Sequence, residues 1–305
     1  MSNQKQILIS IILPTFNHAK FLKKAIESVI RQNYSNWELI IIDNNSVDET
    51  FEIINSYSDS RIKYHRIQNN GVIAASRNLG IHLSTGSWIA FIDSDDWWTN
   101  NKLSKSVEYI NSDKFDLIYH DLFLVERPNQ NSFKKLASSR SLKFPVFKDL
   151  LLNGNGILNS SVLVRKSILE DVGLISCDIS KITWEDYDCW MRISNKSNRF
   201  CYIKETLGYY WAAGGNMTNP DQDLKNAISI YDTYIKGFYD TIPSWILFSQ
   251  GKAFVKKGYI PEGISKFRKI TFTNYSLKEF TKAQLKIIQC FLLNIRFFFL
   301  INKKY

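Results

Sequence analysis

Apolar positions in this chain follow two rhythms, and the order in which they alternate predicts the architecture. Residues 7–13 (I-L-I-S-I-I-L) form a near-continuous β-branched run, as in a strand covered on both faces. Pro14-Thr15-Phe16-Asn17 breaks the run, and Phe21, Leu22, Ala25, Ile26, Val29 and Ile30 then recur at helical spacing. A second buried strand, 38–42, ends in Asp43-Asn44-Asn45-Ser46, after which Asp48-Glu49 opens a helical stretch to Tyr57. A third strand, 61–66, leads through Asn69-Asn70-Gly71 to a helix over 74–83, and 88–92 is a fourth strand. Each crossover is long enough for a right-handed βαβ unit, so the expectation is an open α/β sheet. Further on come a helix over 102–110, a strand over 116–126, a Gly/Asn-rich loop at 153–156 and a strand over 160–164. The acids of 184–188 start another helix, and a strand over 202–211 ends at Gly214-Gly215. Beyond Asp221 the pattern is helical, broken at Pro243, 258–261 and Asn274. One α/β domain over 1–219 and a helical region over 220–305 follow from this division.

The polar residues between these elements are not scattered. In W-I-A-F-I-D-S-D-D-W-W (88–98) an apolar strand delivers Asp93, Asp95 and Asp96 to one spot. Ionised groups crowded at the mouth of an apolar strand lose water and repel one another, and a divalent cation removes that cost. Residues two apart in extended chain face one side, so Asp93 and Asp95 address a common target with Asp96 beside it. Hard oxygen ligands in this number suit Mg²⁺ or Mn²⁺ shared with substrate phosphates. A solvated acidic turn is the plainer reading of such a short motif. Open α/β sheets, however, bind ligands outside the carboxyl ends of their strands. Residues 14–17, 43–46 and 93–96 all lie at such ends and are expected to meet in one crevice.

Composition adds a compartment and a charge asymmetry. At 45% apolar and 22% charged the chain has the profile of a folded globular protein. Cys177, Cys189, Cys201 and Cys290 form no C-x-x-C pair and have no zinc-type spacing, so reduced, mostly buried thiols are expected. No signal segment precedes the first strand, which points to the cytoplasm. The net charge of +10 resides wholly in the region from Gly251 on, with twelve Lys/Arg and two acids; the first 250 residues hold 27 of each sign. A neutral front and a basic tail imply two different tasks.

Six segments together resemble a known family. They are S-I-I-L-P-T-F-N-H (10–18), S-V-I-R-Q (28–32), E-L-I-I-I-D-N-N-S-V-D-E-T (38–50), N-N-G-V-I-A-A-S-R-N-L-G (69–80), G-S-W-I-A-F-I-D-S-D-D-W (86–97) and W-E-D-Y-D-C-W-M-R (184–192). In this order the chain resembles the family 2 glycosyltransferases, inverting enzymes of GT-A fold that use nucleotide-diphosphate sugars. The resemblance implies an open mixed sheet flanked by helices, with a nucleotide-binding half over about 1–100 and an acceptor-binding half over about 101–219. It implies that Pro14, Thr15, Phe16, Asn17, Asp43, Asn44, Arg77, Asp93 and Ser94 surround the donor nucleotide, with Phe16 stacking on the base and Asp93 at the ribose. Asp95 would ligate Mn²⁺ or Mg²⁺, Asp96 orient the donor sugar, and Asp186 act as catalytic base. Trp184, Glu185 and Trp97 would lie toward the acceptor. The reaction expected is transfer of one hexose, glucose or galactose favoured, from a UDP-sugar to a lipid-linked or soluble glycan acceptor with formation of a β linkage.

Three departures from the family pattern stand out. Asn44 replaces a common Asp, Y-Y-W-A-A-G-G-N-M (209–217) lacks the Arg and His many relatives carry, and no Q-x-x-R-W follows Asp186, against a processive synthase. The same residues also admit simpler roles. Asp186 can favour the start of the helix it precedes, with Glu185 as alternative base; Arg77 and Arg192 can be ion-pair partners, and His120 structural. The stretch 283–301 is long but holds Lys286, Gln289, Asn294 and Arg296, which opposes a transmembrane span. It reads as an amphipathic helix on the anionic inner face of the cytoplasmic membrane, continued by Lys303-Lys304, or as a helix packed on the α/β domain. Residues 245–270 faintly resemble one tetratricopeptide-type helix pair. Rival functions are a nucleotidyltransferase, which would need a phosphate loop that P-T-F-N-H does not provide, and a nucleic-acid-binding protein. No nucleic acid partner is expected, because the motifs all sit in the neutral part.

Overall fold

The computed structural model describes residues 7–137, 139–213, 220–237 and 239–301, with 293–301 by backbone alone. Gly214-Gly215, Met217 and Lys303-Lys304 lie outside these residues. Contacts divide the chain into two compact units, Met1–Phe147 with Asn155–Asn216, and Lys148–Gly154 with Met217–Tyr305.

In chain order the elements are β1 (Ile9–Thr15), α1 (Ala19–Ile30), β2 (Trp37–Asp43), α2 (Thr50–Asn55), β3 (Ile62–Arg66), α3 (Ile73–Leu83), β4 (Trp88–Phe91), β5 (Trp97–Trp98) and α4 (Lys102–Ile110). There follow β6 (Leu117–Val125), α5 (Val146–Asn153), β7 (Leu163–Arg165), α6 (Lys166–Asp171), α7 (Glu185–Lys196) and β8 (Phe200–Trp211). The strands form one sheet in the order β3-β2-β1-β4-β7-β6-β8-β5. Its first four strands are parallel, β7 runs antiparallel to both β4 and β6, and β5 runs antiparallel to β8. The sheet is therefore mixed and open. Every residue of β1, β2 and β4 is buried, which is why these strands read as unbroken apolar runs rather than alternating ones.

Helix α1 turns Leu22, Ala25, Ile26 and Val29 inward, the stripe that its spacing predicts. Helix α3 lies so close to β1 that a Cβ on Gly80 would meet Ile12 Cγ2 at 2.6 Å, so only glycine fits there. Glu38, buried within the sheet, joins three strands and a loop. It accepts from Ser10 Oγ (2.6 Å), Lys63 Nζ (2.6 Å) and the Thr85 backbone N–H (2.6 Å). Burial opposes its charge, but these partners outweigh burial and hold its carboxyl down at about 2.

Several elements differ from expectation. Residues 160–164 do not form one strand: Asn159–Ser161 is a 3₁₀ turn and the strand proper starts at Leu163. Helices α5 and α6 and the two-residue β5 are additional. All three are too short for a hydrophobic period to register.

The second unit adds α8 (Pro220–Tyr234), α9 (Ser244–Lys256), α10 (Ile260–Arg268) and α11 (Leu277–Ile301). Helices α9 and α10 make a hairpin over the stretch read as a helix pair. Gly251 faces the Phe267 ring, and a Cβ on Gly263 would meet Val255 Cγ2 at 2.5 Å, so the two helices touch nearly backbone to backbone. Leu247, Phe248, Ile264, Phe267, Ile270, Ala283, Ile287 and Cys290 form its core. Thus α11 packs one face on helices of its own unit. Among the described residues no helix is long and apolar enough to cross a membrane. Cys189, Cys201 and Cys290 are buried and Cys177 exposed, all as free thiols.

One buried group works against stability. Lys102 is fully buried at the start of α4, its Nζ 3.5 Å from the centre of the Trp98 ring and without a hydrogen-bond partner among the described residues. Burial pulls its pKa well below the usual lysine value. Folding therefore releases a proton, and the lysine costs stability at any pH below its unfolded pKa. Lys102→Met is expected to raise stability by ~1–3 kcal/mol at neutral pH. The gap from wild type should narrow as pH rises toward 10, about the unfolded lysine value. Denaturant titrations at several pH values measure both.

Candidate active site

Three loops leave the carboxyl ends of β1, β2 and β4, and side chains bind them together. In the first, Pro14 and Thr15 close β1 and are buried, while Phe16 stands 51% exposed. Asn17, at φ 50, uses its backbone N–H on Ser46 Oγ (2.9 Å) and its side-chain oxygen on the Val47 N–H (2.9 Å). In the second, Asp43 is fully buried. It accepts from Ser46 Oγ (2.5 Å), the Ser46 N–H (2.9 Å) and the Tyr64 hydroxyl (2.8 Å), so its carboxylate braces the loop from inside. Asn44 donates its N–H to the Thr15 carbonyl (2.9 Å) and accepts the Asn69 N–H at its side-chain oxygen (2.8 Å). The third loop joins the first where Ser94 Oγ meets His18 Nδ1 at 2.9 Å.

The acidic loop is a tight turn, closed by the Asp96 N–H on the Asp93 carbonyl (3.0 Å). Ser160 receives the Asp93 N–H (3.0 Å), and Asn159 Nδ2 donates to Asp93 Oδ1 (3.2 Å). Asp96 is buried; Oδ1 accepts the Trp211 N–H of β8 (2.9 Å), and Oδ2 has no hydrogen-bond partner among the described residues. Burial and Asp93 push the Asp95 carboxyl up to about 6. Burial, then Asp95 and Asp93, raise Asp96 well above the carboxylate range.

Arg77 brings the second acidic cluster to the first. Its guanidinium, on α3, is 4% exposed and donates to Asp93 Oδ1 (2.8 Å) and to Glu185 Oε1 (2.5 Å). Burial opposes its charge, but Asp93 and Glu185 more than offset that and keep it protonated. Arg77 thus joins the loop that carries Asp93 to the start of α7. Asp186, in the first turn of α7, has only the Tyr187 N–H (2.6 Å) on its carboxylate among the hydrogen bonds of the described residues. Burial and then Glu185 push it up to about 7, with Arg77 opposing.

The remaining candidates lie around this centre. Trp184 is half-buried immediately before α7. Trp97, 9% exposed, stacks on Tyr209 (5.2 Å between centroids) and has Lys24 Nζ 3.3 Å from its ring centre, so its ring is already used within the protein. Arg192 pairs with Asp188 (2.8 Å). His120 is fully buried, held at Nδ1 near the Asp121 carbonyl (2.9 Å) and pushed down to about 3 by burial and Lys102, so it is a neutral core group.

Two contributions escape the sequence reading. Asn159 and Ser160 hold Asp93 from a loop whose polar composition looks like any connection. Tyr210, on β8, is pushed up to about 12 by burial first and then by Asp96, Asp93, Asp95 and Asp186, and the next residue, Trp211, donates its N–H to Asp96 Oδ1 (2.9 Å). The signal available for it was the alternation of Tyr209, Tyr210 and Trp211 along a strand.

Among the described residues no three acidic, histidine or cysteine side chains form a ready-made metal cage. The donor set nonetheless fits Mg²⁺ or Mn²⁺, which take one or two carboxylates and complete their shell with water and substrate phosphate. Asp95, pushed up to about 6 by burial and Asp93, is the carboxylate that would hold such an ion, with Asp96 next to it in the turn.

Comparison with known proteins bears on this constellation. The model of glycosyl transferase family 2 matches residues 10–173. Escherichia coli WfaP, named UDP-Glc:alpha-D-GlcNAc-diphosphoundecaprenol beta-1,3-glucosyltransferase, is 31% identical over 213 residues, 69% of this chain and 80% of that protein. S. aureus TarS 1-349, solved with UDP-GlcNAc, superposes with TM-score 0.60 at 16% identity, covering 93% of this chain and 81% of that one. The mannosyltransferase PcManGT of Pyrobaculum calidifontis, solved with GDP-Man and Mn²⁺, gives TM-score 0.60 at 14% identity over 95% of this chain and 81% of that one. These two share the fold, a mixed open sheet flanked by helices of the GT-A type. Glycosyl transfer is thereby selected over nucleotidyl transfer and nucleic-acid binding: the chain is a transferase belonging to glycosyl transferase family 2.

Proposed function

We propose that this protein transfers a single hexose, glucose or galactose favoured, from a UDP-sugar to a lipid-diphosphate-linked glycan of surface polysaccharide assembly, with inversion to a β linkage. The observation that carries the reading is the Arg77 bridge between Asp93 of the acidic loop and Glu185, the residue before Asp186. The name of WfaP supports the donor and the acceptor class, and the UDP-GlcNAc complex of TarS supports a UDP-linked donor.

In this reading Phe16 stacks on the base at the exposed mouth, with Pro14, Thr15, Asn17 and Asn44 framing it. Asp43 acts from beneath by fixing the loop. Asp93, held by Arg77 and Asn159, meets the ribose with Ser94 alongside, and Asp96 orients the sugar. A bound Mg²⁺ or Mn²⁺, held by Asp95, would offset charge on the departing diphosphate. The acceptor hydroxyl attacks the anomeric carbon, the bond from that carbon to the diphosphate oxygen breaks, and the hydroxyl proton passes to Asp186. Glu185 is tied to Arg77 and so is already engaged within the protein, whereas Asp186 is pushed up to about 7, which favours Asp186 as the base. Trp184 flanks the acceptor side.

Asp186→Asn should lower kcat by about 10²–10⁴-fold while leaving UDP affinity within about twofold, because the amide cannot take the proton. Product formation and UDP calorimetry check the two halves. Because the base must be ionised, the transfer rate should fall as pH drops through about 7, the value to which Asp186 is pushed.

The second unit supports contact with an anionic membrane surface. On α11, Ala283, Ile287 and Cys290 face the core, while Leu285, Ile288, Phe291 and Leu292 are exposed. Lys282 and Lys286 on the same helix stand near Lys252 and Lys256 of α9, and burial followed by their repulsion lowers the pKa of Lys252. An exposed apolar arc beside concentrated lysines suits the headgroup boundary of the inner leaflet, where a lipid-linked acceptor resides. Reversing Lys282 and Lys286 to Glu should weaken binding to phosphatidylglycerol vesicles by about tenfold or more. Co-sedimentation at low and high salt measures it, with phosphatidylcholine vesicles as the neutral control.

A further inference from the structure

We infer that Tyr210 contacts the transferred sugar, its ring serving as a platform and its phenolic O–H as a neutral hydrogen-bond donor. The inference rests on the reading of this pocket as a glycosyl-transfer site. It starts from the pleat of β8, in which successive side chains point to opposite faces. Tyr209 stacks on Trp97 (5.2 Å) and Trp211 packs on Phe21 (5.1 Å), so both rings of that face are spent on internal packing. Tyr210 lies on the other face and is 36% exposed. The strand is tied to the acidic loop at this point, because the Trp211 N–H donates to Asp96 Oδ1 (2.9 Å).

The neighbours of the phenol define which part of the substrate it meets. Asp95, Asp96 and Asp186 belong to the reacting end of the pocket, whereas the exposed Phe16 and Asn44 mark the base end, at the tips of β1 and β2. The acids explain why a donor is needed there. With a cation bound, carboxylates are ionised and only accept hydrogen bonds, so they satisfy sugar hydroxyl hydrogens but leave sugar oxygens without a donor. Arg77 is occupied by Asp93 and Glu185. The Tyr210 phenol supplies that donor, and its ring offers an apolar surface to the C–H face of a hexose.

The test compares binding of UDP with binding of UDP-glucose, UDP-galactose and UDP-GlcNAc in Mn²⁺-containing buffer, on full-length wild type, Tyr210→Phe and Tyr210→Ala, by calorimetry. For the sugar nucleotide that wild type binds best, Tyr210→Ala should weaken binding by about tenfold. Tyr210→Phe, which loses only the hydroxyl and keeps the packing, should weaken it by about three- to fivefold. UDP itself should bind all three proteins equally. Unchanged sugar-nucleotide affinity in both variants overturns the inference, as does a parallel loss for UDP, which would mark a structural role. Wild type that binds UDP but discriminates none of the variants leaves the donor-site reading standing without Tyr210. Wild type that binds no UDP or UDP-sugar overturns both.

Discussion

A single buried guanidinium organises this molecule. Arg77 reaches from α3 to two carboxylates that are 16 and 108 residues away in the chain, Asp93 after β4 and Glu185 at the start of α7. None of the three would be stable there alone. Removing any one partner of a buried ion pair leaves an uncompensated charge, which is far more costly than the net value of the pair. The arrangement is therefore mutually enforcing: α3 fixes the cation, the cation fixes both acidic loops, and the pocket between them acquires a defined width. Asn159 and Ser160 add support to Asp93 from a third direction.

The same guanidinium separates two neighbouring carboxylates chemically. Glu185 is paired with Arg77, while Asp186, next in sequence, accepts only the Tyr187 N–H among the hydrogen bonds of the described residues and feels Glu185 as a like charge. Environment alone divides the pair into an anchor and a group titrating near neutral pH. A similar division holds in the acidic loop. Asp93 is committed to Arg77, and Asp95 and Asp96 are left with raised pKa values and little protein to satisfy them. The loop is built with a deficit of positive charge, and the metal of the proposed reaction is what would fill it.

How much of this the sequence disclosed depended on the range of the interaction. Strands β1, β2 and β4 were legible because full burial demands continuous apolar runs, and the polar residues that end them stand out by contrast. Convergence of their loops follows from parallel topology. The fate of individual side chains does not. Asp43 reads as a ligand-facing acid yet is spent on Ser46 and Tyr64, because the neighbouring strand β3 carries a tyrosine two residues before Arg66, the register partner of Asp43, a fact no local pattern contains. Trp97 reads as a stacking surface and is covered by Lys24 and Tyr209 for the same reason. Arg77 was identifiable as important, but its partners were not, since a buried bridge across 108 residues leaves no periodicity behind.

The charge asymmetry along the chain acquires a physical sense from the two units. A pocket rich in carboxylates repels anionic lipid headgroups, so a catalytic unit of this kind gains nothing from the membrane field and its neutral overall charge keeps it indifferent to that field. In the proposed membrane contact attraction has to come from elsewhere, and on α9 burial followed by repulsion from Lys282, Lys286 and Lys256 lowers the pKa of Lys252. The loop of Asp95 and Asp96 has to stay available to a cation in the proposed chemistry. An internal lysine reaching that loop would satisfy it as Arg77 satisfies Asp93, and would compete with the metal for the same oxygens.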